Sequence, residues 1–189
     1  MDHIESLSRF HLDAEEAVLL IIDVQTKLMA AMEERDRVYR NTGILLTAAR
    51  ELHIPVVVTE QYPKGLGPTV PEVAQQLPPD VRILEKASFD AAREGLLPVL
   101  EELGRRSVMI CGDESHICVY QTARSLLERG YKVFPIGDAL CSRAHQNHLS
   151  GLALMDRMGA CVLPAEAAAF DLLKVSGTPA FKVVSKALK

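Results

Sequence analysis

Six short apolar runs recur along this chain with helical stretches between them, and that alternation constrains the fold more than any other feature. Val18 to Asp23, Ile54 to Thr59, Val81 to Lys86, Ser107 to Cys111, Lys132 to Ile136 and Ala160 to Leu163 have the length and composition of strands. Arg37 to Leu52, Ala91 to Leu103, Ile117 to Arg129 and Ala144 to Met158 carry apolar residues at helical spacing, and Gly104, Gly130 and Gly159 stand where helix C-caps belong. Strands separated by helices are joined by crossovers, which run parallel. The pattern predicts an α/β fold of six βα units, a doubly wound and mainly parallel sheet with helices on both faces. At 189 residues and 48% hydrophobic content, the chain fits one domain over residues 1–189 with a sizeable core.

In a parallel open sheet all strand C-termini share one edge, and ligands bind in the crevice outside it. Three of the predicted strands deliver chemistry to that edge. AVLLIID ends on the carboxylate of Asp23, VRILEK ends on the cation of Lys86, and SVMICG runs through a glycine into a helix whose first turn holds Cys118. Unpaired N–H groups and the positive end of the dipole at a helix start favour a thiolate over a thiol, which makes Cys118 a candidate nucleophile. Each residue also has a plain structural reading: Asp23 as a helix cap, Lys86 as a solvated lysine, Cys118 as a small buried apolar group. Together, a base, a cation and a thiol on one edge are the parts of nucleophilic cysteine chemistry.

One stretch breaks the rhythm. EQYPKGLGPTVPEVAQQLPP, from Glu60 to Pro79, carries five prolines and two glycines, which predicts a long irregular loop leaving the active edge after the second strand. The tail from Ala165 to Lys189 reads as two short helices split by Ser176-Gly177-Thr178-Pro179, with Phe170, Leu172, Leu173, Phe181, Val183 and Val184 as apolar contacts. An apolar tail of this kind suggests packing on a neighbouring subunit, so a homo-oligomer is expected.

Charge and motifs narrow the function further. A net charge of -4, without basic stripes, argues against nucleic-acid and anionic-membrane partners. The apolar run Val18 to Ile22 is too short to span a bilayer, and the start of the chain lacks a secretory pattern, so a cytoplasmic location is expected. Cys111, Cys118, Cys141 and Cys161 are unevenly spaced and expected to stay reduced, without a disulfide. No GxGxxG follows the first strand, and neither GxxxxGK[ST] nor GxSxG occurs, which removes phosphate-cradling loops and the serine-hydrolase elbow.

Asp23 in IIDVQ, Lys86 in LEKASF, and CGDESHIC from Cys111 to Cys118 followed by QTARSLLERGY together resemble the isochorismatase-like cysteine hydrolases, in the order and spacing of that family and over nearly the whole chain. TEQYPKGLGPTVPE, from Thr59 to Glu72, is most similar to the isochorismatase domain-containing branch. The resemblance implies a three-layer αβα sandwich and a catalytic triad of Asp23, Lys86 and Cys118, the three residues already singled out. It implies a non-proline cis peptide between Asp113 and Glu114, aiming the Glu114 and Cys118 amides at a tetrahedral oxyanion. An aliphatic residue is usual where Asp113 stands. A carboxylate facing the thiol would raise its pKa, so Asp113 is expected to point elsewhere.

The resemblance implies a small-molecule substrate and amide hydrolysis through an acyl-enzyme on Cys118. Vinyl ether cleavage of the isochorismatase type stays open beside it, as does a binding or scaffold role without turnover. Gln25, Leu28, Tyr62, His116, Ile117 and Tyr120 are the candidate pocket residues. Nicotinamidases of the superfamily carry an Asp-x-His metal pair after the second strand, where this chain has Glu60-Gln61-Tyr62. His53 precedes the strand, and His116 would need Cys111 or the nucleophile itself as co-ligand, so neither metal nor cofactor is expected.

Overall fold

The computed structural model describes residues 7–189. Five strands form one wholly parallel sheet in the order β3-β2-β1-β4-β5: β1 Ala17–Ile22, β2 Val56–Gln61, β3 Arg82–Lys86, β4 Ser107–Gly112 and β5 Lys132–Leu140. Chain order reverses between β1 and β4, which lie side by side in register from Ala17↔Ser107 to Ile22↔Gly112. The crevice at such a reversal is the expected ligand site.

Alternation along β1 explains the three layers. Leu19 and Ile21 face one core with Met109 and Phe134, covered by the Arg35–Glu51, Ala165–Leu173 and Pro179–Ala187 helices through Leu45, Leu172 and Val184. Val18, Leu20 and Ile22 face the other with Val108 and Val133, covered by the Leu96–Leu103, Tyr120–Glu128 and His145–Arg157 helices through Leu100, Leu126 and Met155. All six residues of β1 are buried, as a central strand covered on both faces requires.

The sheet has five strands rather than the expected six. The sixth run does lie beside β5: Cys161 N–H donates to Val133 O at 2.9 Å, Leu163 N–H to Pro135 O at 3.1 Å and Gly137 N–H to Leu163 O at 2.8 Å. Residue 135 would supply the missing rung, donating to Cys161 O. It is a proline with no N–H, so only the Ile136↔Leu163 bridge closes.

The long loop after β2 contains two helical turns, Pro63–Leu66 and Pro71–Ala74, each with proline in its first turn. The predicted Ala91 to Leu103 helix is divided into a 3₁₀ turn, Ala91–Arg93, and Leu96–Leu103, separated by Gly95 at φ 85°. The tail forms the two expected helices, with the Thr178 hydroxyl capping Phe181 N–H. Leu172, Leu173 and Val184 pack within their own subunit, while Phe170 and Val183 stay exposed.

Candidate active site

The chain leaves β1 abruptly. Asp23 has φ 55°, its N–H donates to Thr59 O at 3.1 Å, and Gln25 N–H returns to Asp23 O at 2.7 Å. This turn holds the Asp23 carboxylate over the neighbouring strand, where the Thr59 hydroxyl donates to Oδ1 at 2.7 Å. Lys86, at the end of β3, reaches across β2 and donates from Nζ to Asp23 Oδ2 at 2.6 Å. Both side chains of this ion pair are inaccessible to solvent. On Asp23 burial outweighs Lys86, Thr59 and Cys118, all of which favour the anion, and the carboxyl is raised above the ordinary carboxylate range.

Cys118 lies in the π-helical turn Ser115–Val119 that opens the Tyr120–Glu128 helix. Asp23 is the charged group that acts most strongly on the Cys118 thiol. The helix start predicts a stabilised thiolate, but the thiol is pushed up to about 12, first by burial and then by the Asp23 charge, with Lys86 opposing. Desolvation beats the dipole because Cys118 is packed into the apolar cluster formed by Ile22, Val119 and Leu140. The resting arrangement is therefore a thiol poised against a carboxylate, with a cation on the carboxylate's far side. Moving the thiol proton to Asp23 leaves the net charge of the buried trio unchanged, which avoids creating an uncompensated charge in the interior.

Two glycines permit this geometry. A Cβ on Gly112, at φ 115°, would stand 2.0 Å from Ile22 O, so only glycine lets β4 pass the end of β1 this closely. A Cβ on Gly151 would stand 2.8 Å from Ser115 O and 2.9 Å from His116 N, so the His145–Arg157 helix lies against the backbone of the nucleophile turn.

The Asp113–Glu114 peptide bond preceding that turn is cis. Neither carboxylate hydrogen-bonds to the thiol: Asp113 Oδ1 accepts from the Cys141 thiol at 2.8 Å, and Glu114 accepts from Arg143 N–H at 2.9 Å and Arg143 Nε at 3.2 Å. The Ser115 N–H and hydroxyl both donate to Cys141 O at 2.9 Å, and His148 Nδ1 lies 2.8 Å from Ser115 Oγ.

Of the pocket candidates, Ile117 and Tyr120 pack partly buried against the cluster that contains Cys118, with the Arg124 guanidinium 5.4 Å from the Tyr120 ring centre. Leu28 is partly buried against the opposite core, Tyr62 is 61% exposed, and His116 is held between Ser142 Oγ at 3.0 Å and Asn147 Nδ2 at 3.3 Å. Gln25 differs from its expected place at a substrate. It is fully buried, and its amide is spent on the backbone of Gln61 and Gly67, so it clamps the loop instead. Gln61 itself was missed as a site residue: its Oε1 accepts from Lys86 Nζ at 2.8 Å. Its place at the C-terminal end of β2, between the strands bearing Asp23 and Lys86, is the signal that pointed to it.

Among the described residues no group of three or more His, Cys, Asp or Glu side chains is arranged to hold a metal ion. Glu60, near the end of β2, turns Oε1 to the Thr69 N–H and hydroxyl, both at 2.7 Å. A cleft of about 880 Å³ opens beside Arg50, His53, Pro55 and Arg82, near the starts of β2 and β3 and so at the sheet edge opposite Cys118.

This fold and edge geometry define an isochorismatase-type α/β domain, and the chain belongs to the isochorismatase family. The pattern of the isochorismatase domain matches residues 17–167. The chain is 36% identical over 179 residues to isochorismatase domain-containing protein 2 of Rattus norvegicus, covering 93% of this chain and 82% of the relative. It is 36% identical over 181 residues to the secreted isochorismatase effector Isc1 of Phytophthora sojae, covering 92% and 84%. Among solved structures, the MAR1 ribonuclease from Caenorhabditis elegans superposes with a TM-score of 0.88 at 34% identity, covering 94% of this chain and 92% of that one. The family suggests a hydrolase. No helix among the described residues is long and apolar enough to cross a membrane.

Proposed function

We propose that Asp23, Lys86 and Cys118 form the catalytic triad of a metal-independent cysteine hydrolase that cleaves the C–N bond of a small amide. The observation that carries this reading is the Asp23 carboxyl group, held by a fully buried ammonium and acting on the Cys118 thiol at the same strand edge. Asp23 takes the thiol proton as sulfur bonds to the carbonyl carbon. The oxyanion is received by backbone N–H groups of Glu114 and Cys118 at the start of the turn. Collapse breaks the C–N bond, and Asp23 returns the proton to the departing amine. Asp23 then takes a proton from water, whose oxygen attacks the thioester, and the thiol recovers that proton as the acid leaves. Ile117, Tyr120, Leu28, Tyr62 and His116 line the approach.

A second reading is cleavage of a vinyl ether. The direction in which Asp23 is shifted favours it, because burial strengthens the carboxyl group's hold on a proton and protonation of an enol ether demands a buried acid. We also infer a homo-oligomer acting in a reducing compartment such as the cytoplasm, a reading supported by the exposed Phe89, Leu149, Phe170 and Val183 and by four unpaired cysteines. Light scattering should then give a mass well above the 20.8 kDa chain.

Intact mass spectrometry during incubation with a panel of small amides, a vinyl ether and an RNA oligonucleotide tests the proposal. The expected result is an acyl adduct that localises to Cys118 and is absent in Cys118→Ala. Ether turnover without an adduct selects the second reading. RNA cleavage, the activity named for the C. elegans neighbour, overturns both. Hydrolysis that persists in Cys118→Ala removes the cysteine mechanism, and inertness toward the whole panel favours a scaffold.

A further inference from the structure

Gln61 is fixed at both its backbone and its side chain. Its N–H donates to Gln25 Oε1 at 2.7 Å, and Gln25 Nε2 donates back to Gln61 O at 3.1 Å and onward to Gly67 O at 2.6 Å. With the backbone held, the side-chain amide divides between two partners: Oε1 accepts from Lys86 Nζ at 2.8 Å, and Nε2 donates to Ala87 O at 2.7 Å. A flipped amide would turn its N–H groups onto the ammonium, so the cation and the Ala87 carbonyl together assign its orientation. Lys86 Nζ thus lies between a charged acceptor, Asp23 Oδ2 at 2.6 Å, and a neutral one.

We propose that Gln61 is a positioning residue that keeps the Lys86 ammonium in place while Asp23 changes charge. The inference rests on the triad reading above. When Asp23 takes the thiol proton, its contact with Lys86 is no longer an ion pair and remains only as a hydrogen bond from the ammonium to a neutral carboxyl group. Among the described residues the ammonium then keeps one other side-chain acceptor, Gln61 Oε1. An amide does not titrate, so its hold on Nζ is the same before and after the transfer. Its neutrality matters equally, because Cys118 already faces Asp23 from the end of β1 and Glu114, itself paired with Arg143, from just before its turn, against the cation of Lys86. Glu94 also acts on Lys86 from beyond β3, its carboxylate held by Ala87 N–H and Ser88 N–H at 2.6 and 3.1 Å. A further carboxylate at position 61 would draw the ammonium off Asp23.

The test is the pH dependence of Cys118 alkylation by iodoacetamide, located by peptide mass, in wild type, Gln61→Met, Gln61→Glu and Lys86→Met, with melting temperatures alongside. Gln61→Met keeps the shape and removes both bonds, and alkylation near neutral pH should slow about tenfold, toward the Lys86→Met value. Gln61→Glu keeps an acceptor on Nζ and adds charge, and its profile should move up by about one pH unit with the rate recovered in alkali. If both Gln61 variants keep the wild-type profile while Lys86→Met shifts it, the proposal fails alone, even where melting temperatures fall. If Lys86→Met also keeps the wild-type profile, the triad reading fails and Gln61 loses its role with it.

Discussion

The ends of β1 and β4, adjacent in the sheet, carry two carboxyl–thiol pairs that invite comparison: Asp23 with Cys118 and Asp113 with Cys141. Both carboxyl groups are fully buried and both lie beside a buried thiol. Asp23 also has the Thr59 hydroxyl and the Lys86 ammonium. Asp113 has the Cys141 thiol on Oδ1 and, among the described residues, no hydrogen-bond partner on Oδ2. Burial therefore acts almost unopposed on Asp113 and pushes it up to about 8, so it keeps its proton near neutral pH. A buried carboxyl beside a thiol is not sufficient for a base. The cation makes the difference: Lys86 opposes burial on Asp23, and among the described residues no cation opposes it on Asp113.

The widest separation between the two pairs should come from removing that cation. In Lys86→Met, Asp23 becomes an uncompensated buried carboxylate and takes up a proton, and the Cys118 proton then has no acceptor at neutral pH. Alkylation of Cys118 should slow by about two powers of ten and shift to alkaline pH, as hydroxide replaces Asp23 as the base. The cation that acts on Cys141 is Arg37 rather than Lys86, so the reactivity of Cys141 should not change. Equal losses at both thiols in a peptide-resolved alkylation assay would erase the distinction.

The next effect falls on stability and belongs to the other pair. Unfolded, Asp113 loses its proton near its ordinary value of 3.8, whereas the folded protein holds it to about 8. Between those values the folded state binds one proton more than the unfolded state, so this group makes stability fall as pH rises, by at most about 1.4 kcal/mol per pH unit. Asp113→Asn removes the titration. Urea unfolding at pH 5, 6, 7 and 8 should show the variant gaining on wild type as pH rises. A gap that stays constant would mean that Asp113 is ionised in the folded protein.

The difference between the pairs also marks what the sequence could reveal. Asp23, Lys86 and Cys118 were legible because each ends a strand or opens a helix, and parallel topology places such ends on one edge. Asp113–Cys141 was not, since the partners stand 28 residues apart and meet only because β5 extends through Leu140. The loss of the sixth strand was written in the chain at Pro135, but its consequence depends on which side of β5 the missing N–H faces. Gln25 and Gln61 illustrate the same gap. Both stand at the active edge, and nothing in their spacing tells that one amide grips backbone while the other grips the cation. Their roles follow from the path of the loop after β2, which local propensity does not fix.

The first pair meets the Ser115–Val119 turn through Cys118 within it and the second lies beside it, while Gly151 packs against its backbone. Gly151→Ala would bring a Cβ to 2.8 Å from Ser115 O, a contact with backbone that no side-chain rotation relieves. Overpacking of this kind costs about 1–3 kcal/mol. The turn should shift with it, lowering the melting temperature and slowing Cys118 alkylation together. Because Ser115 is tied to Cys141 O, the displacement should reach the second pair, and hydrogen exchange at the Ser115 amide should quicken. A folded Gly151→Ala protein with wild-type melting and alkylation would show that helix and turn are not in firm contact.

The smallest effect is expected at Cys141. Cys141→Ser keeps a donor toward Asp113 Oδ1 and replaces a weak thiol bond by a stronger hydroxyl one, while shortening the reach slightly. The two changes offset, and stability should move by no more than about 1 kcal/mol. The thiol is pushed well above its ordinary range by burial, so in wild type it stays protonated and contributes no charge to lose. It sits beyond the turn, bonded to Asp113, whereas Cys118 is faced by Asp23, Lys86 and Glu114. The rate and pH profile of Cys118 alkylation should therefore match wild type. A shift in that profile would couple the two pairs through the turn they share, and Asp113 would then act on Cys118 despite the direction in which its side chain points.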